Sequence, residues 1–151
     1  MPIKNIPLSQ TQQKIFAYKL KDELNPKNKL YKLRSLIDWQ ILEGWCLKNI
    51  DVKKLGRDRH CNRIMISLLM LQSMNNTSDS LTAEELKENM YWQYFCGYEY
   101  LEKNIEISES SIRRFRNLLG EEGLNEILKE LIRVGVKTGA VKKKRFGINN
   151  R

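Results

Sequence analysis

Between Arg63 and Met74 almost every residue is apolar: Ile64, Met65, Ile66, Leu68, Leu69, Met70 and Leu71 are interrupted only by Ser67. A run with no polar face has to be buried on all sides, so it predicts the central helix of a packed domain. It is far short of the ~18 apolar residues that span a bilayer. No apolar segment with a small-residue cleavage site follows Met1, so no secretory signal is expected. A membrane protein is not expected, and a cytoplasmic location is.

The rest of the chain supplies helices to surround that one. Ser9 is placed to cap a first helix through about Leu24, with Ile15, Phe16, Leu20 and Leu24 at helical spacing. Asn25-Pro26 stops it, because proline disfavours a helical conformation in the residue before it. Leu30, Leu33, Leu36 and Ile37 mark a second helix, and Asp38 caps a short third one carrying Trp39, Ile41, Leu42 and Trp45. Between Lys48 and Asn62 the pattern lapses into a charged loop. After the central helix, Asn75 to Asp79 has turn chemistry, and Thr82 with Glu85 matches a capping box opening a helix to about Met90. Gly97 breaks the aromatic stretch from Tyr91 to Tyr100. Ser108 or Ser110 caps a helix that Gly120 stops, and a last helix runs from Glu121 towards Gly139. Only Ile105-Glu106-Ile107 alternates like a strand. The expected fold is all-α, with about seven helices, a loose helix-turn-helix-like region and a basic C-terminal tail. At 151 residues it is one domain plus a tail.

Chemistry is scarce in this pattern. Cys46, Cys61 and Cys96 lie too far apart for a zinc site, and they read as reduced, buried thiols. His60 is the only histidine and sits in the basic run 57–63, which reads as a polar loop. The glutamates fall along helix faces and capping turns, none after a predicted buried strand. Gly120-Glu121-Glu122-Gly123 is acidic and would repel phosphates. No active site is expected and no cofactor is called for.

Charge is more informative. The net +9 divides into +8 over residues 1–63, −6 over 64–130 and +7 over 131–151. Two basic ends around an acidic middle point to a polyanionic partner, most simply DNA or RNA. Within the acidic middle, Ile112, Phe115 and Leu119 mark the core face of one helix, which sends Arg113, Arg114 and Arg116 largely outward. Three guanidiniums near a helix start, beside the backbone N–H groups around Ser110 and Ser111, suit phosphate contact or reading of guanine edges. The alternative is that these arginines pair with Glu102, Glu106, Glu109 or Glu121. The helix before them leaves a connection over 90–108, far longer than a standard helix-turn-helix turn. The block from Tyr91 to Tyr98 is read as core before it is read as a stacking platform for bases.

The stretch Asn89-Met90-Tyr91-Trp92-Gln93-Tyr94-Phe95-Cys96-Gly97 resembles the N-P-x-W-Q-x-F-x-G motif of bacterial insertion-sequence transposases of the DDE type. In those proteins an N-terminal helical (InsH-like) domain precedes a ribonuclease-H-like catalytic domain. Three further stretches are similar, in the same order: Leu30 to Leu42 with Asp38-Trp39, Gly56-Arg57-Asp58 with the following apolar helix, and Ser110-Ser111-Ile112-Arg113-Arg114-Phe115-Arg116 running to Gly123. Asp58 and Met90 stand where the family has proline, and Asn117-Leu118 where it tends to be basic. Past the linker the family carries its first catalytic aspartate, whereas here no acidic residue follows Glu130.

The resemblance implies the DNA-binding part of a transposase, with the metal-binding catalytic carboxylates absent and any divalent metal belonging to the missing domain. A frameshift or internal stop, or a separately made catalytic chain, would account for this. The implied division is an N-terminal helix or extension over 1–27, the DNA-binding domain over 28–141, and a basic tail over 142–151. Double-stranded DNA at the transposon ends is the implied partner. From their chemistry, Arg113, Arg114 and Arg116, beside Ser110 and Ser111, are candidate groove or phosphate contacts, and Arg57, Arg59 and Arg63 would contact phosphates. Lys142, Lys143, Lys144 and Arg145 would trail along the backbone as an arm. A second reading is a dimerisation module: the apolar residues of 121–136 would form a seam, as a homodimer or against an intact transposase that it inhibits.

Overall fold

The computed structural model describes residues 18–51 and 60–138. These residues fold as α1 (Leu20–Glu23), α2 (Lys29–Leu36), α3 (Trp39–Asn49), α4 (Asn62–Asn75), α5 (Asp79–Glu88), α6 (Met90–Phe95) and α7 (Glu109–Lys137). No strand occurs among the described residues, so the protein is all-α there. The Ser9 cap, Arg57, Arg59 and the tail residues Lys142, Lys143, Lys144 and Arg145 lie outside the described residues.

The apolar run is indeed the centre. All seven residues from Met65 to Leu71 are buried, and α3, α5 and α7 pack around α4. Asn76 ends α4 in the left-handed conformation (φ 51°), which asparagine tolerates better than most residues. Ile105 and Ile107 are buried while Glu106 is exposed, so the short alternating stretch is extended without pairing into a sheet.

Two helix starts differ from expectation. Lys19 is extended, so the described part of the first helix is only the four residues of α1. The Leu20 N–H donates instead to the Glu99 carbonyl (2.9 Å), tying this end of the chain to the loop after α6. Helix α5 begins at Asp79, not after Thr82. Ser78 Oγ accepts the Leu81 N–H at 3.1 Å. Thr82 is fully buried, and its hydroxyl donates back to the Ser78 carbonyl, so it has no freedom to cap.

The aromatic block is core. Trp92, Tyr94 and Phe95 are buried, and Asn89 Oδ1 starts α6 by accepting the N–H groups of Tyr91 and Trp92. Gln93, completely buried, acts as a clasp: its amide nitrogen donates to the carbonyls of Leu86 and Glu102, and its oxygen accepts the Glu102 N–H. One side chain thus fastens α5 and the loop after α6 to one another.

Gly120 (φ 64°, ψ −173°) divides α7 into residues 109–119 and 121–137, as the sequence predicts. That conformation is essentially confined to glycine. Three residues on, a Cβ on Gly123 would stand 2.8 Å from Trp45 Cζ3, so glycine there lets α3 close onto α7. At the other end of this contact Glu130, buried, accepts the Asp38 N–H (2.9 Å) and the Arg133 guanidinium, which also donates to the Leu36 carbonyl. This clasp holds the α2–α3 corner on α7.

Candidate nucleic-acid interface

Residues 109–119 are positioned by their apolar side. Ile112, Phe115 and Leu119 are buried, as their spacing predicts, with Leu118 packed beside them, and Arg113, Arg114 and Asn117 are left outward. The cap is Ser108, whose Oγ accepts the Ser111 N–H at 3.3 Å. Ser110, exposed, and Ser111, half-buried, therefore lie in the first helical turn.

The three arginines of this helix do not share one fate. Arg116 is turned onto α5, where Nη1 donates to Asp79 Oδ2 at 3.2 Å and Nη2 to Asp79 Oδ1. Nη2 also donates to Gln72 Oε1 of α4, and Gln72 Nε2 donates to Asp79 (2.7 Å). Arg113 only approaches the same carboxylate (3.9 Å), and its side chain is 58% exposed against 30% for Arg116. Arg114 is exposed, with no hydrogen-bond or ion-pair partner among the described residues. Arginine pairing was foreseen, but with glutamates of the middle segment. In the sequence Asp79 sits in a stretch that reads as a turn. Its signal was there, as an acid in the first turn of a helix.

Arg63, expected at a phosphate, is engaged inside the domain. Its guanidinium lies over the Trp39 ring (3.1 Å to the centroid) and donates to the Phe95 carbonyl at 2.7 Å and to Ser67 Oγ. Burial disfavours its charged form and pulls its pKa down. Held this way, its donors are already engaged, and of the candidate contacts read from the sequence the described residues leave Arg113, Arg114 and the serine-bearing first turn of α7 outward.

The remaining chemistry is quiet. Burial pushes the Cys46 thiol up to about 11 and Cys96 to about 12, which keeps both protonated and unreactive. Cys61 is exposed, contrary to expectation. No group of three or more metal-ligating side chains occurs among the described residues, and no described helix is long and apolar enough to cross a membrane. Along 121–136, Ile127 and Val134 are buried, and Leu124 and Leu131 pack against the core. Leu128 is 47% exposed, the one large apolar side chain of that stretch so open.

Two depressed carboxylates give these ties a pH dependence. The Arg116 hydrogen bond holds Asp79 below its ordinary 3.8. For Glu130, burial acts upward but is outweighed by Arg133 and the Asp38 N–H, so its pKa falls below 4.5. A carboxyl with a lowered folded pKa contributes stability above its unfolded value and loses it as pH falls through the folded one. The urea midpoint is therefore expected to hold above the ordinary carboxylate values of 4.5 and 3.8 and to drop as pH falls below them, and to drop less in Asp79→Asn. An equal drop in both proteins would contradict the role given to Asp79.

A family model described as Transposase domain (DUF772) matches residues 18–118. The chain is also similar to "Uncharacterized protein ORF8 in nfe locus" of Rhizobium meliloti, 28% identical over 138 residues, which is 89% of this chain. It spans 64% of that relative's length. No solved structure matches.

Proposed function

The chain belongs to this transposase-domain family, and we propose that it serves transposition by binding double-stranded DNA at the element's terminal inverted repeats. The observation carrying this reading is the pair Arg113 and Arg114, exposed on a helix whose opposite side is anchored in the core. Guanidiniums on a rigid helix lose little freedom on contact and match guanine edges or phosphates bidentately. The +9 net charge supplies long-range attraction to DNA. Arg57, Arg59 and the basic arm Lys142, Lys143, Lys144 and Arg145 are proposed to add backbone contacts, and Ser110 and Ser111 to present the helix start to a phosphate. No catalytic step and no divalent metal is assigned to these residues.

The test is fluorescence anisotropy with duplexes carrying the inverted repeats and with scrambled duplexes, across a salt series. Wild type should prefer the repeats, and the preference should persist above ~150 mM salt, where non-specific binding fades. Replacing Arg113 and Arg114 by alanine should cost about 1–3 kcal/mol per lost base contact, with helicity unchanged. Unaltered affinity in the double variant would refute the assignment.

A further inference from the structure

We propose that the domain carries a second polyanion-binding surface, a lysine stripe on the α1–α2 turn and the outer face of α2, which grips the DNA phosphate backbone. The inference rests on the DNA-binding reading above and concerns residues on the far side of the sequence from Arg113 and Arg114. Between Asn25 and Ile37 there is no acidic residue, while Lys27, Lys29, Lys32 and Arg34 are all basic. Arg34 is turned inward, 4.1 Å from the Tyr94 ring centroid. Lys27, Lys29 and Lys32 are exposed, and none is in an ion pair among the described residues. Asp22 and Glu23 of α1 and Asp38 at the start of α3 are the nearest acids in sequence, and none is in an ion pair with them.

This placement works against the helix itself. Lys29 occupies the first position of α2, at the positive end of the helix dipole, and no acid in the first turn offsets it. Helices α5 and α7 have the opposite arrangement, with Asp79 and Glu109 in their first turns. Lys29 and Lys32 are neighbours on one face, where like charges repel. A stripe that only had to be soluble would gain from mixed signs. A stripe that meets phosphates gains from this one, because each neutralised phosphate releases counterions.

The stripe is also held still. Tyr31, on the opposite face of α2, stacks on Tyr94 with centroids 4.6 Å apart, and its hydroxyl donates to the Lys21 carbonyl at 2.9 Å. The Asn25 N–H donates to the Tyr91 hydroxyl at 3.1 Å, and Asn25 Oδ1 accepts the Lys27 N–H at 3.0 Å. Asn28 Oδ1 caps the helix through Leu30 and Tyr31. The lysines therefore project from a backbone fastened to the core, and only their stems order on binding. Lysine binds phosphate as a point charge and does not read bases in a fixed fork. The surface should contribute affinity without sequence preference.

The test uses the full 151-residue chain with Lys27, Lys29 and Lys32 all changed to glutamine, beside a variant with all three changed to arginine. Anisotropy with repeat-bearing and scrambled duplexes is read as the slope of log affinity against log salt, with sedimentation run in parallel. The glutamine variant should lose about three units of slope, one per lysine, equally on both duplexes, and the arginine variant should keep the wild-type slope. An unchanged glutamine slope while wild type binds DNA overturns the stripe and leaves the DNA-binding reading standing. Failure of wild type to bind either duplex overturns both. An unchanged slope with loss of a wild-type dimer would assign the stripe to the acidic face of a second copy and overturn the proposal.

Discussion

Replacing Phe95 with alanine is expected to cost about 3–5 kcal/mol. Phe95 is completely buried and meets the Trp39 ring edge-on, with centroids 5.3 Å apart and planes at 71°. Its neighbours cannot close the gap, because Gln93, also fully buried, is fixed by three hydrogen bonds that hold the adjacent backbone in place. The lost transfer energy is therefore joined by a cavity term. Against the ~5–15 kcal/mol that stabilises an ordinary domain, such a loss leaves the chain partly unfolded at working temperature. Urea denaturation followed by circular dichroism measures it: the midpoint should fall sharply with the slope unchanged. A midpoint equal to wild type would mean that the aromatic block is surface after all, and would return the stacking-platform reading to consideration.

The sequence made that block legible as core because its residues are too apolar and too closely spaced to leave exposed. The same holds for α4, where no polar face exists to turn outward, and for Gly120, whose positive-φ, extended-ψ conformation is essentially confined to glycine. Polar groups were read less well. Whether Thr82 or Ser78 caps α5 depends on which one the core covers, and local pattern carries no trace of that. Arg116 and Arg114 are two residues apart on one exposed-looking helix. What separates them is Asp79, brought across from the start of α5 by the packing of two helices. A charge pattern along a chain gives the supply of arginines; the partners that hold some of them back come from tertiary structure.

Arg63 is the sharpest case, and its substitution separates structure from binding. In the sequence it closes a basic run that reads as a phosphate-contacting loop, yet the fold draws it over Trp39 and onto the Phe95 carbonyl. Phe95 is the last residue of α6, where carbonyls have no intrahelical donor, so the guanidinium completes that helix end. Arg63→Ala removes hydrogen bonds from a charged donor, at about 1.5–3 kcal/mol, together with a cation–π contact of about 0.5–2 kcal/mol. It also leaves the Phe95 carbonyl in want of a donor. The lysine variant should recover only part of this, since an ammonium lacks the planar fork that spans Ser67 and Phe95. The urea midpoint should therefore drop in the order wild type, Arg63→Lys, Arg63→Ala. DNA affinity and its salt slope, measured below the unfolding transition, should stay at wild-type values. Replacing Arg113 and Arg114 should do the reverse, leaving the midpoint nearly unmoved and weakening binding. A fall of about one unit in the salt slope of Arg63→Ala, with stability intact, would put Arg63 back at the DNA backbone.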